Sequence, residues 1–235
     1  RGGFTGPRTA YEGKFGFYAT HLKGEPDLPA ATRDLGTKWE IEEVAIKPFP
    51  VGHLNIAFID AAIALSRKHP MKASDIEAIE VLVPPHAVKV VCEPESQRKR
   101  PANSYAAQFS IQYAVACGLI RQRFGLVELE QYQDAELLSV SDKVSYRLDP
   151  NTGYPRSWSG EVIVTLKNGT KVSHREQHNR GAIDNPVSES GIVDKFLGNA
   201  TVAVSHRRAL EIRDAILTLD SMDDAGELAG LLAAR

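Results

Sequence analysis

The spacing of apolar residues divides the chain into helical and extended stretches. Between residues 54 and 68, apolar side chains recur every three or four positions, as along one face of a helix: Ile56, Ile59, Ala62 and Ile63. Residues 75–83 and 161–166 instead alternate apolar and polar side chains, which predicts strands. Asn168-Gly169 is a strong signal for a two-residue β-turn, so residues 171–174 are expected to return as an antiparallel partner.

The remaining stretches complete the predicted order of elements. Residues 104–122 have the strongest helical pattern in the chain, and the polar run 93–100 predicts a solvated loop. Further elements are predicted as a helix starting at Asp27 and ending at Gly36, short strands at 39–46 and 144–148, short helices within 127–140, and helices at 188–200, 205–219 and 223–234. Helices, then mixed strands and helices, then helices again indicate an α+β unit inserted into a helical domain.

Composition and charge exclude several classes of protein. The 28 Lys and Arg residues balance 30 Asp and Glu to a formal net charge of −2, so no basic excess exists to bind nucleic acid. No apolar run is long enough to cross a membrane. The two cysteines, Cys92 and Cys117, are too few for a disulfide framework or a four-thiolate metal site, so we expect reduced thiols in the cytoplasm.

The first residues indicate that the chain is a piece of a longer protein. It begins Arg1-Gly2-Gly3, with neither an initiator methionine nor the pattern of a signal peptide. We therefore expect an internal start, and each functional expectation below depends on the rest of that protein.

Among the seven histidines, His53 has the most informative surroundings. It follows Lys47-Pro48-Phe49-Pro50, a segment that its prolines hold extended, and it precedes the helix predicted from Leu54. A helix N-terminus attracts an anion, and Lys47 and His53 could both face one there. The alternative is an ordinary loop lysine and a helix-capping histidine. His86 follows two prolines at a strand end, and its alternative is an exposed loop residue.

No other motif for chemistry emerges. His174 and His178 are four residues apart, but in a strand this spacing indicates a surface pair rather than a metal site, and no other histidines have metal-ligand spacing. The chain contains no nucleophile elbow, phosphate loop or dinucleotide fingerprint.

Several segments, in order along the chain, resemble the MmgE/PrpD family, which includes 2-methylcitrate dehydratase, cis-aconitate decarboxylase and an iminodisuccinate epimerase. The central match is Lys47-Pro48-Phe49-Pro50-x-x-His53 followed by residues 57–62. The others are Gly3-Phe4-Thr5-Gly6-Pro7 with Glu12-Gly13, residues 106–113, Gly181-x-x-x-Asn185-Pro186, and Lys195-Phe196. Each match is short, but the ordered set covers nearly the whole chain.

The resemblance implies that this chain is the C-terminal half of a larger enzyme. Residues 1–42 would be part of a helical domain, 43–182 an α+β lid, and 183–235 the C-terminal helices of the helical domain. It also implies a homodimer, no metal or organic cofactor, and a missing N-terminal helical half that supplies further histidines. The chain alone is then expected to be inactive.

The resemblance also implies roles for a few residues. Lys47 matches a lysine that lines the substrate pocket, and His53 matches a histidine found in many members. We expect both to be catalytic and substrate-binding, with His86 as a further substrate-binding residue. The chain departs from the family at Gly52 and Ile56, where cysteine and a second histidine are common, so the substrate is not specified.

The expected reaction is the removal of a proton next to a carboxylate of a small di- or tricarboxylate, with loss of water. Epimerase, isomerase or decarboxylase chemistry remains an alternative, as does a non-catalytic interaction or oligomerisation domain. The lid tyrosine of the decarboxylase has no counterpart near His86 and Val88, which weighs against decarboxylation.

Overall fold

The computed structural model describes residues 3, 5–22 and 24–233. The predictions for residues 1, 2, 4, 23, 234 and 235, which include both chain ends, lie outside the described residues. The chain divides into two compact units, Arg1–Val44 and Ala45–Arg235.

The described residues of the first unit form one short helix and two 3₁₀ turns. Helix α1 spans Phe17–His21, and the turns span Leu28–Ala31 and Glu40–Glu43. The predicted helix at Asp27 is shortened to the first of these turns, in which the Asp27 carboxylate accepts the amide of Ala30 at 3.3 Å. The predicted strand at 39–46 is wrong. Its alternation finds no partner strand in the sheet of the described residues, and Glu40 and Glu43 instead pair with Lys38.

The second unit contains a mixed four-stranded sheet. Its strands are β1 (Ile76–Val83), β2 (Val144–Leu148), β3 (Gly160–Leu166) and β4 (Lys171–Glu176), in the order β2-β1-β3-β4. Strand β1 pairs with β2 in parallel and with β3 antiparallel, and β3 pairs with β4 antiparallel. All four strands lie where strands were predicted, β1 and β3 from alternation and β4 from the turn that precedes it, so the α+β class is confirmed.

The β3–β4 hairpin has the predicted turn, but its loop is one residue longer than expected. Gly169 N donates to Leu166 O, and Leu166 N donates to Thr170 O. These bonds define a three-residue loop in which Gly169, at φ +85°, takes the left-handed position that closes a type I turn. Glycine at position 169 is therefore favoured by its left-handed backbone angle, although the turn is not the two-residue turn that was predicted.

In the described part of this unit, helices precede, separate and follow the strands along the chain. They are α2 (Ile56–Lys68), α3 (Pro85–Ala87), α4 (Glu95–Lys99), α5 (Ser104–Ala107), α6 (Ile111–Arg121), α7 (Leu126–Glu130), α8 (Ala135–Ser141), α9 (Glu189–Ala200), α10 (His206–Leu217) and α11 (Gly226–Ala233). A π-helical turn, Val88–Cys92, follows α3. The helices predicted near the C-terminus are confirmed within one to three residues at their described ends.

Two predictions in the middle of the chain need correction. The helix expected over 104–122 is two helices, because the Ser110 hydroxyl accepts the amide of Tyr113 at 3.0 Å and caps α6 as a new start. The loop expected over 93–100 contains α4. This helix is short and polar, with an ion pair of 2.6 Å between Glu95 and Lys99, and therefore has no apolar face for a pattern to reveal.

Helix α2 is the centre of the core. It contacts β3 and β4 on one side and α6 on another. Nine of its thirteen residues are buried, far more than the single face predicted. The Lys47–His53 segment leads directly into this buried helix, so the candidate site rests on the most firmly packed part of the unit. None of the described helices is long and apolar enough to span a bilayer.

Candidate functional site

Lys47 and His53 lie at the two ends of the segment that precedes α2. The prediction that this segment is extended is wrong, because residues 48–51 bend and Val51 N donates to Phe49 O at 2.9 Å. His53 opens a 3₁₀ turn, His53–Asn55, and Asn55 rather than His53 is the N-cap residue of α2. Gly52 N and Asn55 Nδ2 both donate to Gln108 O, at 2.9 and 3.1 Å. These bonds attach the segment to the link between α5 and α6, and they fix the main chain on which His53 is carried.

The loop of residues 178–185, which follows β4, holds the Lys47 end of the segment. Ile46 N donates to Gly181 O at 2.9 Å, and Gly181 N donates to Asn185 O at 2.7 Å. Gly181 has φ +90°, and a Cβ atom there would lie 1.8 Å from Ile46 O. Lys195 Nζ also donates to Lys47 O at 2.6 Å. Glycine is therefore required at 181 for two reasons, the backbone angle and the close approach of Ile46.

Trp158, on the loop between β2 and β3, brings His53 and His86 to the same place. Its ring is edge-on to both imidazoles, with centroids 5.0 Å from His53 and 5.3 Å from His86. Tyr154 stacks on His86 at 3.7 Å and contacts Trp158 at 5.1 Å. We refer to His53, His86, Tyr154 and Trp158 as the aromatic cluster.

Asn179 connects this cluster to the 178–185 loop. Its side chain is 1% exposed, its backbone N donates to Trp158 O at 3.0 Å, and its amide Nδ2 lies 3.3 Å from His53 Nε2. One residue therefore contacts both the indole-bearing loop and the histidine at the start of α2.

The electrostatic environment favours neutral histidines. Burial lowers the pKa of His53, and the positive charge of Lys47 lowers it further. Burial also lowers the pKa of His86, which remains largely exposed at the open side of the cluster. The Lys47 side chain is exposed yet close enough to His53 to act on it. Lys47 and the aromatic cluster together thus offer a ligand one cation and two imidazoles whose neutral forms are favoured.

A second group of charges lies around Arg180. Its guanidinium binds Asp60 through two nitrogens, the shorter contact being 2.8 Å, and lies 4.9 Å from the centre of the Phe49 ring. Burial raises the pKa of Asp60, and Arg180 opposes that rise. This pair ties the 178–185 loop to α2, which stabilises the position of Lys47 and His53.

Two cavities border the Asp60–Arg180 pair. They measure about 470 and 460 Å³, share Phe49, Arg123 and Arg180, and are not lined by Lys47, His53 or His86. Size alone would favour them as binding sites. Arg180 is paired with Asp60 and Arg123 with Glu128, whereas Arg67 and Lys195 also line these cavities. The cavities contain none of the site residues predicted from the sequence. We place the candidate site at the aromatic cluster, where the charge of Lys47 is available.

Other histidines lie outside this cluster. His174 is 2.9 Å from Glu176, and His178 is 3.6 Å from Asp184, so each faces a carboxylate and the two do not form a site together. In the described part of the chain, no three or more His, Cys, Asp or Glu side chains are arranged to hold a metal ion.

Comparison with known proteins agrees with the order of motifs in the sequence. Residues 49–221 match the MmgE/PrpD C-terminal domain. The chain belongs to the MmgE/PrpD family. The matched region includes His53, His86 and the rest of the aromatic cluster, whereas Lys47 lies just before it.

Similar family members are proteins named cis-aconitate decarboxylase. The one from Homo sapiens is 27% identical over 241 residues, covering 98% of this chain and 48% of that protein. Those from Mus musculus and Aspergillus terreus are 26% and 24% identical, covering 45% and 50% of their lengths. The chain therefore spans about half the length of the curated relatives it matches.

Sequence reasoning selected His53 and His86 but missed Tyr154, Trp158 and Asn179. These three lie far from both histidines in the sequence, on loops without a periodic pattern. The expectation that no tyrosine is available near His86 holds only for neighbours in sequence, because Tyr154 stacks directly on its ring. The lack of a tyrosine close to His86 in the sequence is therefore not evidence against decarboxylation.

Proposed function

We propose that this member of the MmgE/PrpD family is the C-terminal part of a lyase that acts on small di- or tricarboxylates. The observation that carries the proposal is the meeting of His53 and His86 at Trp158, beside the Lys47 ammonium. A multiply charged anion with hydroxyl or carboxylate oxygens complements one cation and two neutral hydrogen-bonding rings. Family membership and the named relatives support the same class of chemistry.

In a dehydration, each of these residues has a defined task. A base removes a proton from the carbon next to a carboxylate, the electron pair forms a carbon–carbon double bond, and the carbon–oxygen bond of the hydroxyl breaks. Negative charge grows on the carboxylate as the proton leaves, and the Lys47 ammonium stabilises it as a compact point charge.

The lowered pKa values of His53 and His86 favour their neutral forms, in which each ring can donate and accept a hydrogen bond. His53 donates a hydrogen bond to a carboxylate oxygen or to the leaving hydroxyl, and His86 binds a second carboxylate at the open side of the cluster. The base, and the acid that turns the departing hydroxide into water, are assigned to the N-terminal half of the protein. With this assignment, only the complete enzyme is active. We also propose that the complete enzyme is a cytoplasmic homodimer.

Decarboxylation is the second candidate, and the names of the relatives favour it. In that reaction a carbon–carbon bond breaks, carbon dioxide leaves, and the electron pair shifts through the neighbouring double bond before an acid protonates the terminal carbon. Lys47 and His53 would hold the carboxylates that stay. The aromatic cluster would exclude water around the one that leaves, where low polarity favours loss of charge.

The experiment that separates these reactions is a substrate screen with the full-length protein. We would incubate it with 2-methylcitrate, citrate, cis-aconitate and iminodisuccinate and identify products by proton NMR. An unsaturated product with loss of water supports dehydration, and loss of carbon dioxide from cis-aconitate supports the second candidate. Inversion at a carbon of iminodisuccinate would instead show epimerase chemistry, and turnover of none would contradict a carboxylate lyase and favour a non-catalytic domain.

A further inference from the structure

Asn179 contacts both the candidate histidine and the loop of Trp158. Its side chain is buried at 1% exposure, and its amide Nδ2 lies 3.3 Å from His53 Nε2. An amide nitrogen carries two hydrogens and no lone pair for bonding, so it can only donate. A donor facing Nε2 requires that this nitrogen be an acceptor without a proton.

We propose that Asn179 is a positioning residue that fixes the tautomer and orientation of His53. With Nε2 accepting from Asn179, the single ring proton of neutral His53 is on Nδ1. Nδ1–H is then the group that donates to a substrate oxygen. The catalytic consequence rests on the proposed function, whereas the tautomer is a property of the folded protein alone.

The main-chain contacts of Asn179 make this arrangement rigid. Its backbone N donates to Trp158 O at 3.0 Å, and the Trp158 ring is edge-on to His53 at 5.0 Å. The imidazole is therefore restrained at its Nε2 atom and by its contact with the indole ring. Two residues further on, Gly181 O binds Ile46 N next to Lys47, so the same loop aligns both ends of the segment.

The charges around His53 agree with a neutral ring. On the segment before α2, Lys47 is the charged group that acts on His53, and burial and Lys47 together lower the pKa of His53. Beyond Trp158 lies His86, whose pKa burial also lowers, and the same loop carries Tyr154 and the exposed Arg156. On the loop of Asn179 itself, Arg180 is paired with Asp60, and His178 faces Asp184.

Replacing the amide by a carboxylate reverses this preference without changing the shape of the side chain. Asn179→Asp puts an acceptor beside Nε2, so that Nε2 gains the proton and the charged imidazolium is favoured. A carboxylate this close raises a histidine pKa by about one unit or more. Asn179→Ala removes the donor but keeps the main-chain bond to Trp158.

The test measures His53 directly in the full-length protein. Imidazole nitrogen-15 chemical shifts distinguish the two tautomers and report the pKa, and a His53→Gln variant assigns the signals. We expect Nδ1–H in the natural protein, a mixture of tautomers in Asn179→Ala, and Nε2–H with a raised pKa in Asn179→Asp. Asn168→Asp, the same chemical change in the exposed hairpin turn, is the matched control and should leave His53 unchanged.

Kinetics supply a second readout that a purely structural role would not change. The limb of the kcat/KM profile that reports His53 should move to higher pH by about one unit in Asn179→Asp, whereas mere loosening would lower kcat/KM equally at every pH. A proton found on Nε2 in the natural protein, or a His53 pKa that Asn179→Asp leaves in place, would overturn the proposal. The expected NMR result without turnover of any carboxylate would uphold the role of Asn179 and refute the proposed lyase instead.

Discussion

At the scale of single residues, Lys47 combines an exposed side chain with a fixed main chain. Its carbonyl accepts from Lys195 Nζ, and the preceding residue, Ile46, donates to Gly181 O. The ammonium is therefore held at the candidate site without being part of the core. A substitution of the side chain should affect binding and turnover far more than folding.

Lys47→Ala in the full-length protein is expected to lower kcat/KM by about 30- to 1000-fold. This range corresponds to the loss of one charge-assisted contact in a desolvated site, worth about 2–4 kcal/mol. Lys47→Arg should restore only part of the activity, because a planar guanidinium does not replace a compact ammonium. Steady-state kinetics and thermal melting measure both effects.

The control for this variant is Lys68→Ala, which removes an exposed lysine at the end of α2. It should change neither activity nor melting. Near-normal activity of Lys47→Ala, or a loss that only follows a lower melting temperature, would show that Lys47 is an ordinary loop lysine.

Gly181→Ala is expected to destabilise the protein by more than about 2 kcal/mol, because it adds a collision with Ile46 O to the cost of a left-handed backbone. Gly169→Ala is the matched control. Gly169 has a similar φ, +85° against +90°, but no atom lies within 4 Å of its Cβ position. Gly169→Ala should lower the free energy of unfolding by only about 1–2 kcal/mol. Denaturant unfolding measures both, and equal costs would contradict the close approach at Gly181.

At the scale of elements, the packing of α2 against α6 determines how the site is supported. A Cβ atom at Gly118 of α6 would lie 2.7 Å from Ala62 Cβ and 3.1 Å from Ile59 O of α2. The two helices approach this closely because both carry small residues at the crossing. Helix α2 is consequently enclosed by α6 on one side and the sheet on the other, and its N-terminal end holds His53 in place.

Gly118→Ala and Gly198→Ala are expected to change the free energy of unfolding in opposite directions. Alanine favours a helix over glycine by about 1 kcal/mol, but overpacking at Gly118 costs about 1–3 kcal/mol, so that variant should be less stable. At Gly198 in α9 nothing lies within 4 Å of a Cβ, and alanine should stabilise by up to about 1 kcal/mol. Unfolding free energies that rise in both variants would contradict the close crossing of α2 and α6.

At the scale of the whole molecule, the chain has a complete core but only part of the proposed enzyme. The sheet, α2 and α6 bury a continuous apolar cluster within the second unit. The aromatic cluster, by contrast, offers binding groups and neutral histidines but no assigned base. About half the length of the curated relatives lies outside the matched region.

We expect the 235-residue chain to fold when expressed alone but to turn over none of the proposed substrates. Circular dichroism and thermal melting would show the folded core, and the product assay would show activity only for the full-length protein. Turnover by the isolated chain at a rate close to that of the full-length protein would place the base within these residues. It would refute the proposal that the N-terminal half supplies the base.

Local patterns in the sequence were sufficient for most of the elements. Alternation located β1 and β3, the Asn168-Gly169 turn signal located β4, and helical spacing located α2. Alternation and helical spacing succeed because they depend on which residues face the core. The predictions that failed concern elements without such a face. Helix α4 is polar, the 39–46 stretch has no strand partner, and the cap at Ser110 divides a continuous helical pattern.

For the candidate site, the sequence by itself determined that the Lys47–His53 segment lies before a helix, since helix spacing is a local property. The extended backbone predicted from its prolines was wrong, because residues 48–51 bend. Only the tertiary structure decided that β2 pairs in parallel with β1, and that the loop beyond it places Trp158 between His53 and His86. The same is true of Asn179 and Gly181, whose partners lie more than a hundred residues earlier. Such contacts depend on how distant segments pack, and no spacing along the chain encodes them.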